Sequence, residues 1–229
     1  MCTSNIQAER QLTSSPISKA LDNNDNFSPD GQYLVYDTRD TVAPGPANST
    51  SIMKVSLASG QETYVYKPKS VTGENAAPGV LAASWSPVAD EIVFIHGPLL
   101  EETTRLGFYS QTNRRGAVVN SSGTGAVRFL DCRDVASQVT PAGAHRGGTH
   151  RHEYSLDGRR IGFTYDDQLV RTVGRNLGIL VPHTKAPCGV SHYFAVLLPI
   201  VPAGEARHAG PAGIRLRRFS PVDSRTRLL

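Results

Sequence analysis

Three ten-residue segments repeat one arrangement of apolar and polar positions. They are FSPDGQYLVY (27–36), WSPVADEIVF (85–94) and YSLDGRRIGF (154–163). Each opens on an aromatic residue and a serine, passes through a polar turn-forming stretch, and closes on a short apolar run such as Leu34/Val35/Tyr36. Asp-Gly supplies the positive φ angles of a tight turn. The β-branched and aromatic residues after it suit a pleated, half-buried surface. Each segment is therefore expected to be a β-hairpin. The copies start at residues 27, 85 and 154, which leaves room for two more strands per unit. Candidates are IMKVSLASGQETYVY (52–66) around Ala-Ser-Gly and LGFYSQTNRRGAVVN (106–120) around Asn-Arg-Arg-Gly, each read as two strands. RNLGILVP (175–182) and HYFAVLLP (192–199) would complete the third unit. Four antiparallel strands per repeat is the blade of a β-propeller, so the expected fold is all-β with about three blades.

Composition agrees with this pattern. The 229 residues include 21 glycines and 15 prolines, which favours a turn-rich β chain over a helical one. A hydrophobic content of 39% is adequate for a packed core. The net charge of +4 belongs to the C-terminal end, because 207–229 holds six arginines against Asp223 alone. The rest of the chain is nearly neutral, so a nucleic-acid partner is not expected. Cys2, Cys132 and Cys188 are widely spaced and odd in number, and are read as isolated thiols without a disulfide framework. The longest apolar stretch, FAVLLPIV (194–201), is too short to span a bilayer. No signal peptide is visible in MCTSNIQAERQLTSSP, so the expected location is the cytoplasm, or the periplasm if a signal sequence is missing from the chain.

The aromatic-Ser-Pro-Asp-Gly pattern resembles the WD40-like (PD40) repeat of TolB-type propellers, and ERQLTSSP (9–16) resembles the last strand of such a blade. VFIHGP (93–98), RRGAVV (114–119), RGGTHRHEYSLDGRRIGFTYDD (146–167) and SHYFAVLL (191–198) follow the order found in the YidR family of bacterial propellers. Those proteins have no assigned biochemical function. The resemblance implies an N-terminal extension (1–8), blades over 9–205, and a disordered Arg/Ala/Gly/Pro-rich tail over 206–229. Members of that family are longer, which implies an incomplete propeller; the basic tail is read as the product of a truncated or shifted reading frame, with a natural disordered tail as the alternative. Such an arc would be marginally stable, or would need a missing half or self-association.

The candidate chemistry lies in GGTHRH (147–152). With strict strand alternation His150, His152 and Tyr154 share one face, and Arg151 and Glu153 the other. Two imidazoles at this spacing can hold a divalent ion such as Mn or Zn. Blade structure does not demand histidine there, since the matching positions are Asn23 and Asp25, then Leu81 and Ala83. His96 and His192 are further candidate ligands, and Arg146, Arg151 and His145 candidate ligand-binding groups. The other reading is that these histidines only line a polar channel. Gly147-Gly148 is read as tight entry to a strand, and DTRD (37–40) and DD (166–167) as solvated strand ends rather than calcium ligands. The run also resembles the manganese-binding Gln-x-x-His-x-His of oligogalacturonate lyases, but Gly147 stands where the glutamine would be. Two functions follow: a module binding a small carbohydrate or a protein, or a metal-dependent polysaccharide lyase with its histidine site in the channel.

Overall fold

The computed structural model describes residues 9–39, 49–68, 79–134, 139–170 and 175–196. The expected extension (1–8) and tail (206–229) lie outside them.

The serine of each repeat staples a turn. Ser28 Oγ donates to Asp30 Oδ1 (2.6 Å) and accepts from the backbone N–H groups of Gln32 (3.1 Å) and Tyr33 (2.9 Å). Ser155 does the same with Asp157 (2.6 Å) and the Arg160 N–H (3.0 Å). Ser86 accepts from the Ala89 N–H (3.1 Å), in the copy that lacks Asp-Gly. Gly31 and Gly158 close their turns at φ +68° and +66°, a region that side chains disfavour.

Each turn joins an innermost strand to the next strand outward. The second blade runs β4 (Val80–Trp85), β5 (Glu91–His96), β6 (Arg115–Asn120) and β7 (Arg128–Phe129). The third runs β10 (Gly148–Tyr154), β11 (Ile161–Asp166), β12 (Asn176–Pro182) and β13 (His192–Val196). Both are antiparallel meanders with neighbours in chain order. The first blade has β1 (Tyr33–Asp37), β2 (Ile52–Ser56) and β3 (Glu62–Tyr66) as a ladder. Its innermost segment pairs with β1 through the isolated bridges Ala20–Asp37 and Phe27–Leu34 rather than through a continuous ladder. The two-stranded parallel pair β8 (Cys132–Arg133) and β9 (Ala144–His145) lies between the second and third blades in sequence.

The sheets stack through two apolar layers. Val35, Ile52 and Val65 meet Val80, Trp85, Ile92 and Phe94 in one. Val93, Val118 and Leu130 meet Ile161, Phe163, Tyr165, Leu180 and Phe194 in the other. Strand β5 feeds both layers, so its four central residues, Ile92 to Ile95, are all apolar rather than alternating, as a strand covered on both faces must be. The expected all-β blades are thus present: among the described residues there is one α-helix, α1 (Thr103–Leu106).

Three expectations need correction. Residues 106–112 form no strand; helix α1 and turns occupy this stretch, and only β6 of the expected pair forms. Residues 9–16 are irregular, although Leu12 packs beside Tyr36, Met53 and Val55. Cys132 and Cys188 are not isolated. They form a disulfide across a sequence separation of 56, with Cα atoms 5.7 Å apart. The reason is topological: β8 runs beside the turn at 187–189, which spacing in the sequence does not reveal.

Two outcomes follow. Gly31→Ala has free space for its Cβ and is strained by its φ alone, so it should cost about 1–2 kcal/mol. Gly158→Ala should cost more, because its Cβ also meets a Val88 methyl, and chemical melts of the two variants rank them. Replacing both Cys132 and Cys188 by serine should lower the unfolding free energy by about 2–4 kcal/mol, read from the same melts without reductant.

Candidate functional site

Strict alternation fails in the two complete innermost strands, and fails at matching positions. In β4, Ala82 adopts φ +55° and the register with β5 shifts between Leu81 and Ser84. In β10, Arg151 adopts φ +57° and the register with β11 shifts between His150 and Glu153. Each is a β-bulge, two residues facing one. Left-handed backbone at a non-glycine residue costs on the order of 1–3 kcal/mol and persists only where surroundings impose it.

The first blade supplies those surroundings. The Ala82 N–H donates to Asp37 Oδ2 (2.9 Å), and its carbonyl accepts from Asn23 Nδ2 (2.8 Å). Asn23 Nδ2 also reaches Ser84 Oγ (2.8 Å) and the His152 carbonyl (3.2 Å). One amide therefore joins the innermost segments of all three blades. Asn24 adds a bond to Glu153 (3.2 Å), and Asp22 pairs with Arg151 (2.9 Å).

The bulge at Arg151 corrects the expected faces. His150 lies opposite Thr164, whereas Arg151 and His152 together face Phe163. His152 and Tyr154 consequently share one face of β10, and His150 and Glu153 the other. The two histidines enter different environments.

His152 faces inward, fully buried, against Phe163 and Gly116. A Cβ on Gly116 would come within 3.0 Å of its Nε2, so the glycine makes room for the ring. The Nε2–H donates to Thr149 Oγ1 (2.9 Å), and that hydroxyl donates to Asp131 Oδ2 (3.3 Å). His145 Nε2–H donates to the same oxygen (3.0 Å). Every bond in this buried chain points toward Asp131. Burial pushes the Asp131 carboxyl up, but the charge and hydrogen bond of His145 outweigh it and hold the group below its usual range.

His150 faces a charged cluster. Its Nδ1 accepts from Arg175 Nη1 (2.9 Å). Arg175 Nε and Arg114 Nη2 both reach Asp166 Oδ2, at 3.1 and 3.3 Å. Arg114 Nη1 donates to the Tyr109 hydroxyl (3.1 Å), and Tyr109 packs over Leu81 and Ala82 at the first bulge. Burial, followed by the charges of Arg114 and Arg175, drives the His150 pKa far down, so its ring is neutral. Because Nδ1 accepts, the ring proton sits on Nε2.

The remaining expected residues disperse. His96 is buried between Tyr66 (hydroxyl 3.0 Å from Nε2) and the Gly97 carbonyl (2.6 Å from Nδ1), edge-on to Phe129. His192 sits beside Ser191 on the outermost strand of the third blade. Arg146 pairs with Asp167 (3.0 Å) and Arg151 with Asp22 (2.9 Å). The structure thus brings His145 and His152 together, but not His150, His96 or His192 with them. Gly147 and Gly148 do serve close packing: a Cβ would strike the Asp166 carbonyl at 1.9 Å and the Gln111 carbonyl at 2.0 Å. The acids are not solvated strand ends. Asp37 and Asp167 are buried and hydrogen-bonded, and Asp40 lies outside the described residues.

The donor set does not fit a metal-dependent lyase. The bulge separates the histidine pair, and among the described residues no group of three His, Cys, Asp or Glu side chains could hold a metal ion. Sequence reasoning missed Asp131, Thr149, Tyr109, Arg114 and Arg175. Four of them lie inside segments quoted above, Tyr109 and Arg114 in LGFYSQTNRRGAVVN, Thr149 in GGTHRH and Arg175 in RNLGILVP, but were read there only as strand or turn positions, and Asp131 stood only beside a cysteine.

The buried histidines set an acid limit on stability. Burial lowers His96 and His152 from 6.5 to about 4, so below pH 6.5 the unfolded chain takes up protons first and stability falls until about pH 4. His150 acts in the same direction. Asp37, Glu153 and Asp166, raised by burial, oppose this just above their ordinary values. The difference between parent and His96→Asn cancels the carboxylates. Urea melts between pH 6.5 and 4 should show a slope shallower in the variant by about 1.4 kcal/mol per pH unit.

Comparison with known proteins places this arrangement. The chain is 32% identical over 183 residues to the uncharacterized protein YidR of Escherichia coli (strain K12), a match covering 77% of this chain and 40% of that protein. The match therefore covers two fifths of the length of this curated relative. Among solved structures, TolB from Acinetobacter baumannii aligns at a TM-score of 0.46 and 16% identity, over 76% of this chain and 31% of that one. An oligogalacturonate lyase in complex with manganese aligns at 0.49 and 13%, over 82% and 44%. The family model described as "Protein of unknown function (DUF3748)" matches residues 79–193, which run from the edge of β4 into β13. That match takes in half of the chain, all of the second blade and the third as far as the start of β13, and the chain belongs to the DUF3748 family.

Proposed function

We propose that the chain is a ligand-binding module that receives a small polar solute where its innermost strands meet, beside Tyr109, His150 and Arg175. One observation carries this reading. The bulge at Arg151 spends backbone strain to turn His150 away from the buried network and onto a polar cluster. Bulges concentrate where a strand must re-aim a side chain. Solvent reaches the cluster through Arg175, whose side chain is 34% exposed. A neutral imidazole, a phenol and two guanidinium groups form a donor-rich wall suited to the oxygens of a sugar or an organic acid. The bulge puts His150 and His152 on opposite faces of β10, which favours binding over metal-dependent lyase chemistry. The Cys132–Cys188 cross-link supports an oxidising compartment rather than the expected cytoplasm.

Histidine ring signals followed by NMR test this. The purified chain is titrated with glucose, galacturonate, citrate and inorganic phosphate. At least one solute should move the His150 signals while those of His96 stay fixed. Movement of neither, or conversion of pectic fragments to unsaturated products, overturns the reading.

A further inference from the structure

We infer that the ligand is an oxyanion, a small solute presenting a carboxylate or phosphate group to Arg114 and Arg175; this rests on the binding-module reading above. Consider the balance of charge. Arg128 and Arg146 each pair with a carboxylate, Glu91 and Asp167. Arg114 and Arg175 instead share one oxygen of Asp166. Two guanidinium charges against one carboxylate leave a surplus of one positive charge, and neutral His150 does not alter it.

Hydrogen bonding shows the same imbalance. A guanidinium has five N–H donors and no acceptor. Arg175 spends one on an imidazole nitrogen, a neutral acceptor, although it lies in a cluster short of acceptors. The Arg114 side chain is only 4% exposed, and its Nε is buried with no hydrogen-bond partner among the described residues. A buried cationic donor left unpaired is costly. His150 adds an Nε2–H, and the Tyr109 hydroxyl adds a donor once it accepts from Arg114. Donors on three segments, from the 109 loop and the edge of β6 to β10 and the edge of β12, thus surround a single carboxylate.

An oxyanion resolves both imbalances. It brings the missing negative charge and two or three acceptor oxygens, and planar guanidinium groups engage such oxygens in pairs. A neutral sugar would accept the same hydrogen bonds but leave the charge uncompensated. Arg133 is different in kind. It grips the carbonyls of Thr112 (2.8 Å) and Gly147 (3.0 Å) and serves as a clasp between the 109–113 loop and the start of β10.

Calorimetric titration of the chain with inorganic phosphate, citrate and glucose tests the inference. Phosphate or citrate should bind, and which of them binds separates a phosphate ligand from a carboxylate one. Arg175→Gln should weaken that binding roughly tenfold or more, a loss of one charge-assisted contact. Arg159→Gln, on the exposed turn, should leave it unchanged. Should circular dichroism show Arg175→Gln unfolded, Arg175→Lys keeps the charge and loses the planar fork, and should weaken binding by a smaller factor. Equal loss in Arg159→Gln, or no loss at Arg175, overturns the inference. Glucose binding at His150 without either anion overturns it too, while leaving the binding module intact; no solute moving His150 sinks both.

Discussion

The hydrogen bonds of Asn23 hold the centre of this molecule. A strand ladder consumes its own backbone groups, so neighbouring blades ordinarily meet through side chains alone. The bulge at Ala82 releases an N–H and a carbonyl from that ladder. Asp37 and Asn23, both from the first blade, take them up. The same amide continues to the His152 carbonyl in the third blade. Three sheets are thereby fixed at their inner edges by polar contacts, while apolar layers fix them farther out. The strain of left-handed Ala82 and Arg151 is sustained because releasing it would leave these buried groups unpaired.

That arrangement explains why β10 carries two histidines with separate work. Parity in a strand is rigid, so residues two apart share a face unless a bulge intervenes. Here it intervenes between them. His152 enters a closed network in which every donor points at Asp131. His150 enters the cluster of Arg175, Arg114 and Asp166. The network anchors the strand and the cluster is offered to solvent through Arg175. A rigid strand behind a polar wall is the usual basis of a preorganised site.

How much of this was legible in the sequence depends on the distance over which each feature is determined. The turns at Ser28, Ser86 and Ser155 were legible because each serine and the backbone N–H it accepts from lie within five residues of one another. The strands 52–56 and 62–66 were legible for the same reason, around Ala-Ser-Gly. The bulges were not. Neither alanine nor arginine favours positive φ, and only partners 45 and 59 positions away impose it at Ala82. The Cys132–Cys188 bond joins segments 56 positions apart, and the Asp131 network spans 14 to 18 positions across a stretch with no repeat pattern, so neither showed in local spacing. The stretch 106–112 misled because its apolar residues suggested a strand, whereas Tyr109 uses its ring to cover Leu81 and Ala82.

The disulfide and the clasp of Arg133 give these nonlocal contacts a common root. Asp131, Cys132 and Arg133 are consecutive, and they point to three different tasks. Asp131 receives the histidine network, Cys132 is tied to the turn at 187–189, and Arg133 holds the Thr112 and Gly147 carbonyls. Thr112 belongs to the loop that carries Tyr109, and Gly147 opens the strand that carries His150. The segment therefore sets the spacing between the two sides of the charged cluster without touching it. Fixing such a segment covalently makes physical sense. Its own secondary structure is a two-residue parallel pair, too short to be stable by itself. A cross-link that stabilises it also fixes the distance between Tyr109 and His150, and the geometry of the cluster is then inherited from the chain's outer strands rather than from the innermost ones alone.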